Sequence, residues 1–213
     1  MIFELPDKIK KIKNAVSVFG SSKVSKKTKE FALALEVGRL LAQNNFIVVN
    51  GGYGGVMLAS AKGAKEAGGH TIGVTLVKNS FPVKSANEFI VKEIPCSHLL
   101  KRLFTLIKLS SAYIIFSGGT GTLLELSAVW EMINKNIISK RPIILMGNNW
   151  NPVIEATSRE YLNNEQKENS SESKFSISSF NNIPDARLLF SDFIFQADTP
   201  ESAIAIIKFF QNQ

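Results

Sequence analysis

At 213 residues, with 45% hydrophobic and 20% charged side chains, the chain has the make-up of a globular protein with a sizeable core. One α/β domain over residues 1–213 is expected rather than two small ones. The net charge of +7 suits anionic ligands, no apolar run approaches the roughly 20 residues that cross a bilayer, and Cys96, the only cysteine, excludes an internal disulfide or a thiolate zinc cluster.

The start, Met1-Ile2-Phe3-Glu4-Leu5-Pro6, runs into lysines without an apolar secretory segment, so a cytoplasmic protein is expected. Lys8, Lys10, Lys11 and Lys13, then Lys23, Lys26, Lys27 and Lys29, supply much of the charge. They read as solvated lysines, because no aromatics are interleaved with them as nucleic-acid binding would require. Short apolar runs then alternate with helical patterns, the signature of a Rossmann-like open sheet of mostly parallel strands with helices on both faces.

In chain order, Ala15–Phe19 is a strand ending in Gly20-Ser21-Ser22, and a helix follows from Lys27 to Gln43. Phe46–Asn50 is a β-branched strand running into Gly51-Gly52-Tyr53-Gly54-Gly55. A helix from Gly55 to Ala67 ends at Gly68-Gly69, and Thr71–Thr75 is the next strand. Leu76–Asn87 is irregular, and Glu88–Val91 is a candidate short strand. A helix is expected from Ser97 to Leu109, with Leu99, Leu100, Leu103, Phe104, Leu106 and Ile107 buried. Ala112–Phe116 is a strand, Gly121–Asn134 a helix, Pro142–Met146 a strand, and Trp150–Tyr161 a helix with Pro152 in its first turn. Residues 162–179, rich in Asn, Ser, Glu and Lys, read as a flexible insertion. Phe190–Phe195 is a final strand, and Pro200–Phe210 a closing helix capped by Thr199.

Two glycine-rich turns lie between a strand and a helix, where open α/β sheets place ligands. In Ser117-Gly118-Gly119-Thr120-Gly121-Thr122 the absent side chains let backbone N–H groups approach a phosphate, and the helix N-terminus favours negative charge. The turn lacks the Gly-Lys-Ser/Thr ending of a P-loop and the third glycine of a dinucleotide fingerprint. The other turn, Asn50 to Met57, adds Gly51, Gly52, Gly54, Gly55 and Met57, and the pair suggests a cleft for both ends of a nucleotide. Glu125 shares a stripe with Ala128, Val129 and Met132, and a carboxylate in apolar company needs a partner or a purpose. Arg102 falls at the border of its helix's apolar face, where periodicity alone makes it a solvated arginine. His70 and His98 lack an i,i+4 partner, so no metal site is expected, and Cys96 reads as a buried or idle thiol.

Gly51-Gly52-Tyr53-Gly54-Gly55-Val56-Met57, Gly63-Ala64, Ala67-Gly68-Gly69 and Ile72-Gly73-Val74 resemble the Lonely Guy family. That family was long labelled "possible lysine decarboxylase" and contains cytokinin riboside 5′-monophosphate phosphoribohydrolases. Its hallmark Pro-Gly-Gly-x-Gly-Thr-x-x-Glu is matched by Ser117-Gly118-Gly119-Thr120-Gly121-Thr122-Leu123-Leu124-Glu125. The resemblance covers about Val16 to Ile154 and places Arg102 at the family's helix arginine, which with Glu125 would form the catalytic pair. It implies a homodimer with sites near the interface. Ser117 replaces the hallmark proline, Leu103 stands where lysine follows the arginine, and Leu124 stands where a second acidic residue is common. Asn87-Glu88-Phe89 and Ser117 lean toward the related molybdenum-cofactor carrier proteins. Lysine decarboxylation would need a pyridoxal-phosphate lysine in a recognisable setting, which is not seen.

The resemblance therefore implies hydrolysis of the N-glycosidic bond of a nucleoside 5′-monophosphate such as AMP, without a cofactor. Gly118 to Thr122 would hold the phosphate, and Glu125 would offset the positive charge that develops on the ribose. The alternative is a carrier of a nucleotide-like cofactor such as molybdopterin that cleaves nothing. A third reading, single-stranded DNA binding, rests on charge alone.

Overall fold

The computed structural model describes residues 11–12, 14–77, 85–165 and 183–212. Its framework is an eight-stranded sheet of β1 (Ala15–Phe19), β2 (Ile47–Asn50), β3 (Thr71–Leu76), β4 (Lys92–Cys96), β5 (Ala112–Ile115), β6 (Ile143–Met146), β7 (Ala186–Phe190) and β8 (Ile194–Ala197). The helices are α1 (Lys29–Gln43), α2 (Val56–Glu66), α3 (Leu99–Leu109), α4 (Thr120–Asn134), α5 (Asn151–Glu165) and α6 (Pro200–Gln211). The strand order is β4-β3-β2-β1-β5-β6-β8-β7, parallel throughout except for the antiparallel β7–β8 pair. The expected Rossmann-like α/β architecture is therefore the one observed.

Strand alternation sorts the core into two layers. Tyr113, Ile115, Ile143 and Leu145 point to one face, against Leu106 and Ile107 of α3 and Leu126 and Val129 of α4. Ile114, Phe116, Ile144 and Met146 point to the other, against Val37 and Leu41 of α1, Ala59 of α2 and Ile206 of α6. Each such fully buried aliphatic side chain contributes about 1.5–3 kcal/mol. Where α1 crosses α2, a Cβ on Gly38 would lie 2.0 Å from the Ser60 carbonyl and one on Gly63 would lie 1.9 Å from the Leu35 carbonyl, so the two backbones pack directly.

Local signals explain the helix ends. The Thr28 hydroxyl accepts from the Phe31 N–H at 3.2 Å to cap α1. Thr199 and Ser202 form a reciprocal capping box on α6, with Pro200 just inside it. At the far end of α3, buried Arg141 donates through Nη1 to the carbonyls of Ile107 and Ser110 and to the Tyr113 hydroxyl. A cation there offsets the negative end of the helix dipole. Burial pushes the Tyr113 phenol up to about 12, with Arg141 pulling the other way.

Several expectations are corrected. Residues Glu88 and Phe89 form a turn, and the neighbouring strand is Lys92–Cys96. This strand is at the edge of the sheet, so Lys92 and Glu93 are exposed and Pro95 is tolerated, and hydrophobic patterning does not mark it. The expected strand Phe190–Phe195 is the junction of a hairpin, because Ser191 takes φ 53° and turns the chain between β7 and β8. Leu99 and Leu100, in the first turn of α3, are exposed rather than buried. The helix begun near Trp150 continues to Glu165, so residues 162–165 of the expected insertion are helical. The rest of that insertion, and residues 78–84 of the expected loop after β3, lie outside the described residues.

Candidate functional site

The order of the strands reverses between β1 and β5: β1 leads outward to β2 on one side, and β5, parallel to it, begins the other half of the sheet. Loops leaving the carboxyl ends of these two strands diverge and leave a crevice, the position where such sheets bind ligands. A cleft of about 400 Å³ lies there, within the range of small-molecule sites. Its wall includes Gly20 to Lys23 after β1, Gly51, Tyr53 and Met57 after β2, Arg102 from α3, and Gly119 to Thr122 with Glu125 from α4.

The β5–α4 turn leaves the helix N-terminus open. Gly119 is the N-cap of α4, and no side chain caps it. A Cβ on Gly119 or Gly121 would meet nothing within 4 Å, so both positions open onto space. Gly118 has a different reason to be glycine, because its Cβ would fall 2.1 Å from Thr122 Oγ1. Ser117 faces away from the cleft: its hydroxyl donates to Glu30 Oε1, and its carbonyl accepts from the Ser21 N–H at 3.0 Å. The α4 N–H groups and the helix dipole together suit an anionic oxygen cluster.

The β2–α2 turn is folded by buried Asn50. Its Nδ2 donates to the Met57 carbonyl at 2.9 Å and to Ser60 Oγ at 3.1 Å, while its Oδ1 accepts from the Gly52 N–H at 2.8 Å. Gly55 takes φ +60°, and its Cβ would lie 2.1 Å from the Ser21 carbonyl; one on Gly54 would lie 3.1 Å from the Ser22 carbonyl. Gly54 and Gly55 thus seat the β1 loop against the β2 loop, and Gly52, at φ +77°, turns the chain behind the cleft wall. Gly51 is on the wall, where a Cβ would lie 1.9 Å from Arg102 Nη2.

Arg102 is far from a solvated arginine. Its side chain is 13% exposed, Nε donates to the Val74 carbonyl at 2.8 Å, and the guanidinium lies 5.7 Å from the centre of the Tyr53 ring. The Tyr53 hydroxyl in turn accepts from the Leu76 N–H at 2.8 Å. Glu125 sits in the second turn of α4, one turn later than its helix dipole could explain, with its side chain 15% exposed and Oε1 4.0 Å from Arg102 Nη1. Burial raises the Glu125 carboxyl to about 7, and the positive charge of Arg102 pulls it partly back. The pair is an acid–base group poised near neutrality beside an anchored cation.

The structure thus brings Arg102, Glu125, Gly51, Met57 and Gly119 to Thr122 around one cleft, with Gly52, Gly54, Gly55, Ser117 and Gly118 behind it. Sequence reasoning missed Ser21, Ser22, Lys23 and Tyr53 as wall residues. Their signal was position: Gly20-Ser21-Ser22 ends the first strand, and Tyr53 sits inside a recognised glycine loop. Among the described residues no cluster of three or more His, Cys, Asp or Glu is arranged to hold a metal, and no helix is long and apolar enough to cross a membrane.

The SLOG cluster4 family model matches residues 13–177. A protein of Archaeoglobus fulgidus, itself uncharacterised, is 30% identical over 132 residues, which cover 62% of this chain and 83% of that protein. Two solved structures share the fold. The molybdenum cofactor binding protein from Rippkaea orientalis superposes with a TM-score of 0.63 at 23% identity, covering 94% of this chain and 98% of its own. The molybdenum cofactor carrier protein from Chlamydomonas reinhardtii gives 0.60 at 20% identity, covering 95% and 100%.

Proposed function

The chain belongs to the SLOG cluster4 family, and from that premise we propose that its cleft binds a nucleotide-like ligand by its phosphate and carries it intact. The observation that carries the reading is the open N-terminus of α4 at the switch between β1 and β5, where Gly119 and Gly121 leave space in front of it. The phosphate would sit against the N–H groups of Thr120, Gly121 and Thr122, and Arg102 and Lys23 would supply positive charge. A phosphorylated pterin of the molybdopterin class is the favoured cargo, by analogy with the proteins that share the fold. Those donors fit its phosphate, and the cargo would bring its own metal chemistry.

A second reading is favoured by a specific observation. Glu125, largely buried in the cleft 4.0 Å from Arg102, also suits N-glycosidic hydrolysis of a nucleoside 5′-monophosphate. In that case Glu125 would stabilise positive charge on the ribose or orient water, and Arg102 would hold the nucleotide. A homodimer belongs to the same proposal.

One experiment separates the two. Purified protein is incubated with AMP, and free base and bound AMP are quantified for wild type and Glu125→Gln. AMP bound and recovered whole, equally in both, supports the carrier. Free adenine released by wild type and lost in Glu125→Gln establishes the hydrolase. Absence of AMP binding removes the hydrolase, and absence of molybdopterin binding in the same assay removes the carrier.

A further inference from the structure

Resting on the reading that the β1–β5 cleft takes a nucleotide phosphate, we propose that a second cavity beside it takes the other half of a pyrophosphate-linked dinucleotide. This cavity, of about 670 Å³, lies at the carboxyl edge of β5, β6 and β8. Parallel strands present the same edge there as at the first cleft, so the site has the same topological warrant.

The β5–α4 turn separates the two cavities. Phe116 and Ser117 line the second, and Gly119 to Thr122, a few residues further along the same turn, line the first. A phosphate at the α4 N-terminus therefore stands next to the partition, and a ligand with two linked phosphates has an anchor from which to reach the other side.

The chemistry of the second wall suits a heterocycle that presents N–H and carbonyl groups together. From β8, buried Gln196 accepts from Arg187 Nε and from Asn151 Nδ2, each at 3.0 Å, and its own Nε2 donates to Asp198 Oδ1 at 2.7 Å. This network holds a guanidinium and a carboxylate side by side at the rim. Lys29 and Glu30 from α1 repeat that pairing of charges, and Ser117 secures the Glu30 carboxylate. Carboxylates accept from ring N–H groups, and the cations donate to ring carbonyls, so alternating charge reads a polar ring edge better than a bare anion. At Gly147, with φ +74°, the turn after β6 makes a tight bend, and a Cβ there would meet nothing within 4 Å.

The test compares AMP with P1-(adenosine-5′) P2-(guanosine-5′) diphosphate, whose guanine presents a ring N–H beside a carbonyl, by isothermal titration. The variants are Lys29→Ala and Asp198→Asn, the latter keeping an acceptor for Gln196, with thermal unfolding checked for each. The dinucleotide should bind wild type at least tenfold more tightly than AMP. Each variant should lose at least threefold of that advantage while AMP affinity stays within twofold. A dinucleotide no tighter than AMP, or an advantage untouched by both variants, overturns the second site and leaves the first standing. Binding of neither ligand removes the cleft reading itself, and this inference with it.

Discussion

Arg102 and Glu125 face each other at 4.0 Å across the cleft, but only the arginine has a second anchor, the Val74 carbonyl. The cation is fixed, and the carboxyl is the member whose charge varies.

The first prediction follows from the sign of that variation. The Glu125 carboxyl is raised from 4.5 to about 7 in the folded protein, so the folded state holds a proton that the unfolded state has released between those values. Stability should therefore fall as pH rises from about 4.5 through 7, and stay at the lower level above. Glu125→Gln abolishes the dependence: it should match wild type near pH 4.5 and exceed it at pH 8 by up to roughly 3 kcal/mol. Thermal unfolding at both pH values checks this, and an identical difference at the two would count against it.

Arg102→Ala should raise the Glu125 carboxyl further, because the one nearby cation that lowers it is gone. A carboxyl-carbon NMR titration would show the midpoint moving upward, and ligand affinity should fall at least tenfold, about 1.4 kcal/mol or more. Gly51→Ala should give a weaker form of both effects, since its Cβ would occupy the space of Arg102 Nη2. An unmoved midpoint in Arg102→Ala would break the link between the two residues.

The hallmark glycines divide into two kinds. Gly118→Ala drives a methyl into Thr122 and should cost about 1–3 kcal/mol of stability. Gly119→Ala meets nothing in the protein, so it should unfold like wild type while weakening a phosphate-bearing ligand at least fivefold. Denaturant unfolding and equilibrium binding on the two variants read these effects separately.

Arg141→Met should destabilise the fold by about 2–4 kcal/mol, because buried carbonyls at Ile107 and Ser110 and the Tyr113 hydroxyl lose their donor. Chemical denaturation measures it. A loss under 0.5 kcal/mol would mean those acceptors find other partners.

What the sequence makes legible follows from how local each cause is. Parallel strands such as Ala15–Phe19 are buried on both faces and largely apolar, and Thr199-Pro200 announces α6, so these elements are readable within a few residues. Lys92-Glu93-Ile94-Pro95-Cys96 is a strand only because Thr71–Leu76 lies beside it, and no apolar pattern reveals that. Glu125 stood out by its apolar neighbours, whereas Arg102 became a candidate through resemblance alone, since its anchors at Val74 and Tyr53 come from distant parts of the chain. Ser21, Ser22 and Lys23 join the cleft through the strand order, which places β1 beside β5 across nearly a hundred residues of chain.

The edge strand β4 has a consequence for how the molecules live together at high concentration. Beyond β4 the sheet runs through seven more strands, and such a long sheet would offer any neighbouring chain a template on which to stack. At β4 that template is spoiled: Pro95 brings no N–H to the ladder, and the Lys92 and Glu93 charges would have to be stripped of water by an incoming strand. Fibre growth from this end is thereby blocked by the same residues that hid the strand from sequence patterning.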